Sequence, residues 1–276
     1  MVLWIFLLLS ALFLWLYWGN TSIRTTQVGI ADKKIPASFS GFRIVQISDL
    51  HNAKFGKHQN RLLKAVRDAS PDLIAVTGDL IDSRHTNLEE AMEFVRGAVR
   101  IAPVYYVTGN HEARLGRYAL FKKKIGEAGV SIFKNTGATI SRGGSCIRLL
   151  GLEDPAFSKP HGTNAENAAL LDARLKAMRS AGNAYTVLLS HRPEQLDVYA
   201  ANGTDLALCG HAHGGQIRLP FIGGLFAPNQ GFFPKYTAGV HQKGRTKMVV
   251  SRGLGNSLAP LRINNRPELV VLTLTR

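Results

Sequence analysis

Five short motifs hold the residues able to do chemistry: Asp49-x-His51, Gly78-Asp79, Gly109-Asn110-His111-Glu112, Ser190-His191 and Gly210-His211-Ala212-His213. They supply carboxylate, amide and imidazole groups and no thiolate. Two divalent metals sharing one bridging carboxylate and holding an activated water need such a mixture. Singly, each motif is weak. Gly-Asp after a strand is often an ordinary turn or helix N-cap, and a lone histidine is commonly a satisfied, semi-buried side chain. The set is stronger because each motif follows an apolar run, often beside a glycine that lets the backbone turn tightly.

Those apolar runs are the elements that must position the motifs. Arg43 to Ser48 alternates and is rich in β-branched residues, which predicts a strand delivering Asp49 and His51. Asp72 to Val76 and Val104 to Val107 repeat the pattern ahead of Asp79 and Asn110, while Leu62 to Ala69 and Leu88 to Val99 have helical spacing. Strand–loop–helix units with polar residues at the strand tips predict an α/β sheet with its ligands at the carboxyl ends. Gly126 to Leu150 changes to short strands and Gly-rich turns, which predicts antiparallel additions. Asn164 to Ser180 reads as an amphipathic helix. Thr186 to Leu189 leads to His191 and Leu206 to Cys209 to His211; Met248 to Val250 and Leu269 to Leu274 read as late strands. The expectation is a two-sheet α/β domain.

At 276 residues, 45% hydrophobic and 19% charged, the chain has the composition of an ordered protein with a substantial core. Its net charge of +15 favours anionic partners: phosphorylated substrates, nucleic acid or an anionic membrane face. No zinc-finger or basic heptad pattern is present, so sequence-specific nucleic-acid recognition is not supported. Cys146 and Cys209 lie in apolar β-like runs and read as two buried thiols, not a disulfide. His58, His85, His161 and His241 match no motif and read as surface residues.

Val2 to Trp18 is apolar apart from Ser10, close to the ~20 residues that cross a hydrocarbon core. Trp4, Trp15, Tyr17 and Trp18 sit near its ends, as interfacial aromatics do. No basic residue precedes the run and no small-x-small cleavage pattern follows it, which favours a retained anchor over a signal peptide or a core helix. The expected organisation is an anchor over 1–19, a tether and edge segment over 20–40 and a catalytic domain over 41–276. Arg24, Lys33 and Lys34 follow the span, so the positive-inside tendency favours a cytoplasmic domain, with the opposite face left open.

The order and wording of the motifs, SDLH, TGDLID, VTGNHE, LLSHRPE and CGHAHGGQ, resemble the calcineurin-like metallophosphoesterases from about Gly41 to the C-terminus. Among these they look most like the membrane-associated phosphodiesterase branch, which includes hydrolases of UDP-2,3-diacylglucosamine. The resemblance implies a four-layer α/β/β/α sandwich, here carrying an N-terminal hydrophobic helix. By motif, it implies that Asp49, His51 and His213 bind one metal, that Asn110, His191 and His211 bind the other, and that Asp79 bridges them. Mn²⁺, Fe or Zn²⁺ would suit these ligands. The implied reaction is in-line attack on phosphorus by a metal-bridging hydroxide. His111 is then the catalytic residue that does not coordinate, donating to the developing oxyanion or the leaving group. Asp82 and Glu112 read either as carboxylates that orient imidazoles or as exposed turn residues.

Leu219 to Tyr236, rich in Gly, Pro and aromatics, reads as a hydrophobic rim, a membrane-touching loop or a self-packed loop with buried phenylalanines. With the anchor and the charge it favours a phosphodiester or pyrophosphate of a lipid or nucleotide-linked headgroup at a membrane. The alternatives are a broad phosphatase or nuclease and a non-catalytic module that retains the fold.

Overall fold

The computed structural model describes residues 1–179, 182–256 and 261–276. Two six-stranded sheets stack face to face, with helices on both outer surfaces, as an α/β/β/α sandwich preceded by an apolar helix. In chain order the elements are α1 (Val2–Thr21), β1 (Arg24–Ala31), β2 (Arg43–Ile47), α2 (Asn60–Asp68), β3 (Leu73–Thr77), α3 (Leu88–Ala98), β4 (Val104–Val107), α4 (Asn110–Ala113), α5 (Tyr118–Glu127), β5 (Ser131–Ile132), β6 (Thr136–Arg142) and β7 (Ser145–Gly151). There follow α6 (Asn164–Ala177), β8 (Thr186–Leu189), α7 (Leu196–Ala201) and β9 (Leu206–Cys209). Two short hairpins come next, β10 (Arg218–Leu219) with β11 (Gly223–Gly224) and β12 (Phe226–Ala227) with β13 (Gly231–Phe232). The chain closes with β14 (Gly239–Lys243), β15 (Thr246–Val250) and β16 (Glu268–Thr275).

The first sheet runs β1-β16-β2-β3-β4-β5 and the second β14-β15-β9-β8-β7-β6. The strands that deliver the motifs are parallel within each sheet, in registers such as Ile47 opposite Val76 and Leu189 opposite Leu208. Their sequences are near-continuous apolar runs because both faces are covered. Alternate residues serve different cores. Val45, Ile47, Ile74 and Val76 pack on the outer helices beside Leu62, Phe94, Val95 and Phe121, whereas Ile44, Leu73 and Ala75 meet Leu149, Val187, Leu189 and Leu208 between the sheets. On the far side Leu188, Ala207 and Met248 pack against Leu171, Leu175 and Tyr199. One polar group crosses the middle layer: Gln46 Nε2 donates to Thr77 Oγ1 at 3.1 Å and to the Cys209 carbonyl at 2.9 Å, tying the two sheets together beneath the motif loops.

Several sequence expectations need adjustment. Within Gly126 to Leu150, β5 joins its sheet parallel to β4, so in this segment only the β6–β7 hairpin is antiparallel; helix α5, which the sequence reading did not expect, ends as the segment begins. The helix expected over Asn164 to Ser180 ends at Ala177, and Ser180 lies outside the described residues. Cys209 is buried but Cys146 is exposed, because it sits beside the hairpin turn opposite Ser141, where neither sheet face is covered. His58, His85 and His161 are exposed and His241 is half-buried. The core-helix alternative for Val2 to Trp18 fails: α1 buries none of its residues and is long and apolar enough to cross a membrane. Only Ser22 and Ile23 separate α1 from β1.

Candidate metal centre

All five motif loops leave the carboxyl ends of their strands at one edge of the sandwich. From the first sheet come Asp49 and His51 after β2, Asp79 after β3, and Asn110 and His111 after β4; from the second come His191 after β8 and His211 and His213 after β9. The loops interlock through backbone bonds: Asp49 N–H donates to the Gly78 carbonyl at 3.0 Å and His51 N–H to the Asp79 carbonyl at 3.1 Å. Across the sheets, His211 N–H donates to Asp49 Oδ1 at 3.1 Å. Asp49, His51, Asp79, His211 and His213 all have positive φ, between 46° and 67°. Non-glycine residues hold this left-handed conformation only where the surroundings over-determine it, at a cost of order 1–3 kcal/mol each.

Close approach explains the glycine of the third motif. A Cβ on Gly109 would lie 2.2 Å from Asp79 Oδ1, so a side chain there would displace the carboxylate at the centre of the cluster.

The donor atoms gather into two groups that share Asp79, one of Asp49, His51, Asp79 and His213, the other of Asp79, His191 and His211. Asp79 Oδ2 lies 3.5 Å from His51 Nε2 and 3.2 Å from His191 Nε2, and Asp49 Oδ1 lies 3.4 Å from His213 Nε2. All of these side chains are at most 7% exposed. The tautomers follow from the outer ring nitrogens: His191 Nδ1–H donates to the Thr77 carbonyl at 2.8 Å and His213 Nδ1–H to the Gly255 carbonyl at 3.3 Å. In the neutral rings the Nε2 lone pairs therefore point inward, and His51 Nε2 faces His213 Nε2 at 3.2 Å.

Electrostatics and orphaned atoms test whether these residues fit metal ions. Burial lifts the Asp49 carboxyl to about 6, against the opposing pull of His191. Burial also disfavours charge on His191, but the Asp79 and Asp49 carboxylates outweigh it and hold the imidazole at about 10. Burial drives His51 down to about 3 and His211 and His213 well below the usual imidazole range. The cluster thus combines three histidines kept neutral by burial, His51, His211 and His213, with two carboxylates that draw positive charge onto His191, the pull they would exert on a bound cation. Among the described residues Asn110 Oδ1 is buried with no hydrogen-bond partner, as is His51 Nδ1; such orphans call for a partner that the side chains of the site do not supply. Oxygen and nitrogen donors without thiolate suit hard-to-borderline divalent ions.

His111 stands beside the cluster with its ring edge-on to His51 at 4.4 Å between centroids. Its Nδ1 accepts from the Ser83 N–H at 3.1 Å, which leaves the proton on Nε2, and burial lowers its pKa. Asp82 Oδ1 lies 3.5 Å from His111 Nδ1, and Arg84 clamps the carboxylate, Nε donating to Oδ1 at 3.0 Å and Nη2 to Oδ2 at 2.8 Å. Glu112 is fully buried and touches no imidazole. It accepts the N–H groups of Asp79 at 2.9 Å, Leu80 at 2.9 Å and Gly109 at 2.7 Å, so it shapes the two loops that present Asp79 and Asn110.

Three neighbours of the site are absent from the motif reading. Arg192 is 5% exposed; its Nε and Nη2 grip Asp154 at 2.6 and 2.9 Å. Its Nη1 donates to Asn229 Oδ1 at 2.8 Å, and His211 Nε2–H donates to the same oxygen at 2.9 Å. With Nε2 so engaged, His211 Nδ1 faces His191 Nε2 at 3.2 Å. A signal existed for two of them: Asp154 lies just past the end of β7, one more strand tip, and Arg192 follows His191. Asn229 comes from a long loop with no motif.

Comparison with known proteins agrees with this geometry. Residues 42–215 match the calcineurin-like phosphoesterase family. A metallophosphoesterase of Bacillus subtilis, YkuE, is 32% identical over 257 residues, covering 91% of this chain and 85% of that protein. The phosphodiesterase YaeI of Escherichia coli is 29% identical, covering 84% of this chain and 82% of its own. A transmembrane protein with metallophosphoesterase domain from Danio rerio is 28% identical over 91% of this chain and 57% of its own length. Among solved structures, TT1561 of Thermus thermophilus shares the fold with a TM-score of 0.54 at 14% identity, covering 78% of this chain and 91% of that one. The fold, the buried His/Asp cluster and these matches converge: the chain belongs to the calcineurin-like phosphoesterases and is a metal-dependent phosphoester hydrolase.

Proposed function

We propose that this protein is a dinuclear phosphodiesterase anchored in a membrane, acting on a phosphodiester or pyrophosphate of a lipid or nucleotide-linked headgroup. One observation supports the membrane substrate above others: a single loop system joins the metal cluster, an exposed apolar tip and the end of α1. Asn229 of this loop reaches His211. The tip of the first hairpin exposes Phe221 fully and Ile222 at 63%, and the end of the second exposes Phe232 at 71% and Phe233 at 62%. At its base Arg218 N–H donates to the Ile263 carbonyl at 3.0 Å, next to Arg262, whose backbone N–H and C=O are both bound by the Asn20 side chain at 2.8 and 3.0 Å. Asn20 lies in the last turn of α1. Exposed phenylalanines argue for a rim or membrane contact over a self-packed loop.

In this reading Asp49, His51 and His213 would hold one ion and Asn110, His191 and His211 the other, with Asp79 shared between them. When bound, the ions acidify a water and neutralise charge building on the phosphoryl oxygens. Glu112, through backbone N–H groups, and Thr77, through His191, hold the ligands in place. Ser190 Oγ is paired with the Tyr199 hydroxyl at 2.7 Å and Ser48 Oγ with the Thr77 carbonyl at 3.3 Å, which supports water as the source of the attacking oxygen. His111, protonated at Nε2 and too constrained at Nδ1 to ligate, donates that proton's hydrogen bond to the phosphoryl group or leaving oxygen. The positive charge following α1 favours the cytoplasmic face for the catalytic domain.

The test combines elemental analysis of purified protein with a panel of phosphomonoesters, phosphodiesters and detergent-dispersed lipid pyrophosphates. Two ions per chain and a preference for dispersed lipid substrates, lost in Phe221→Ser/Phe233→Ser while soluble diesters are still cleaved, are expected. Equal rates on soluble esters with no lipid preference would favour a broad phosphatase or nuclease, for which the +15 charge is the supporting observation.

A further inference from the structure

A second basic site lies outside the metal cluster, where α1 meets the catalytic domain. A cavity of about 180 Å³ is walled by Trp15 and Trp18 of α1 and by Arg24, Arg252, Arg262 and Arg266 of the domain. Among the described residues no carboxylate lines it, and none of the seven expected metal ligands does. Glu268 is 3.7 Å from Arg252 Nε and accepts the Arg252 N–H and the Thr26 hydroxyl, and the Asp49 carboxylate acts on Arg262 from the metal-centre side. Two carboxylates thus face four guanidiniums.

The arginines are placed, not merely gathered. Arg262 is 1% exposed and its guanidinium is held by carbonyls, those of Gly255 and Arg252, and by Asn256 Oδ1, so its charge has hydrogen-bond partners but no counter-ion among them. Arg252 Nε is buried without a hydrogen-bond partner. Arg266 lies over the Trp18 ring at 4.3 Å and donates to the Ser22 hydroxyl at 2.6 Å. Four guanidiniums, one buried, two half-buried and one exposed, outnumber the carboxylates beside them; the excess charge calls for an anion, and the planar guanidinium fork matches phosphate oxygens.

The position identifies the source of that phosphate. α1 is 20 residues long, about 30 Å at 1.5 Å per residue, and Trp15 and Trp18 lie in its last two turns. The cavity therefore opens at headgroup depth once α1 spans the hydrocarbon. We propose that this cavity is a binding site for the phosphate of an anionic phospholipid headgroup, separate from the catalytic centre. The proposal rests on the membrane-anchored reading of α1. A bound headgroup would seat the anchor against Arg262 and so against the Gly255 carbonyl, which also receives His213 Nδ1–H.

The chain's three tryptophans all lie in α1, so intrinsic emission reports on this helix alone. The experiment places the full-length protein in phosphatidylcholine nanodiscs, with and without phosphatidylglycerol, and follows emission and lipid retention by native mass spectrometry. Retention of phosphatidylglycerol is expected, weakened about fivefold each in Arg24→Gln and Arg266→Gln, from about 1 kcal/mol per cation near a membrane surface. Arg24→Gln, whose side chain makes no hydrogen bond or ion pair among the described residues, guards against a mere folding defect in the other variant and should leave hydrolysis of soluble diesters unchanged. Equal weakening by the exposed Arg100→Gln would overturn the site in favour of general charge attraction, and saturation by inorganic phosphate at the same concentration would overturn the lipid assignment. Protein that never enters the nanodisc would sink the anchored reading itself, an outcome distinct from insertion without lipid preference.

Discussion

Replacing Glu112 by Gln should unfold the metal centre's scaffold while leaving every expected ligand in the sequence. Glu112 Oε2 accepts the N–H groups of Asp79 and Gly109, and Oε1 accepts that of Leu80, with Ile81 N at 3.4 Å. An amide offers one acceptor oxygen, so whichever way Gln turns, its NH₂ faces backbone N–H groups that were paired before. Burial lifts the Glu112 carboxyl to about 8, so the loss is that of two buried N–H donors left without an acceptor, about 1–3 kcal/mol each. The net destabilisation should be about 3 kcal/mol, which for a domain of this size lowers Tm by roughly 6–12 °C. Calorimetry on metal-loaded protein, with metal content measured in parallel, reads both effects. Because the loosened N–H groups belong to the loops bearing Asp79 and Asn110, metal stoichiometry should fall as well. An unchanged Tm with two ions still bound would refute the view that Glu112 shapes these loops.

Asp79→Ala should abolish hydrolysis of a bis-aryl phosphodiester with the far-ultraviolet circular dichroism preserved; full activity would end the bridging assignment. His111→Ala should keep its metal content while kcat drops by ~10²–10⁴, the range for a positioned proton donor, whereas loss of metal would make His111 a ligand. Arg192→Met should destabilise by about 3–5 kcal/mol, because it leaves the buried Asp154 carboxylate unpaired, and the double variant with Asp154→Leu should recover most of that in urea unfolding. Exhaustive chelation should eliminate activity and lower Tm, and both should return with a divalent ion in excess, since the ion binds only the folded state.

The strands that position the centre are legible in sequence because apolar runs end abruptly in Asp, Asn, His and Gly, and burial of both faces leaves no other reading of such runs. Helix α5 is not, since only Phe121 and Ile125 are buried on it and Lys122 to Lys124 obscure the stripe. Cys146 misleads because its neighbours Ile147 and Leu149 are core residues while it sits at the open end of a hairpin. The seven residues expected as ligands do lie together, yet sequence says nothing of what steadies them. Asp154, Arg192 and Asn229 act through side-chain contacts across 38 and 37 positions of chain, and no periodicity carries such information. Glu112 was visible, but its partners are backbone amides of another loop, which leave no trace in residue type.

Only Ser22 and Ile23 stand between the last turn of α1 and the first strand of the sheet, and Asn20 grips the backbone of Arg262 from both sides. On the proposed reading the catalytic cleft therefore has a fixed working depth. It cannot swing out to meet a substrate in bulk solution or dip towards the acyl chains, and it meets phosphorus at one height above the bilayer while the whole protein searches in two dimensions. Lengthening the Ser22–Ile23 junction with a flexible insert would convert a surface-scanning enzyme into one that samples a volume, widening its choice of soluble esters as it loses its advantage on lipids.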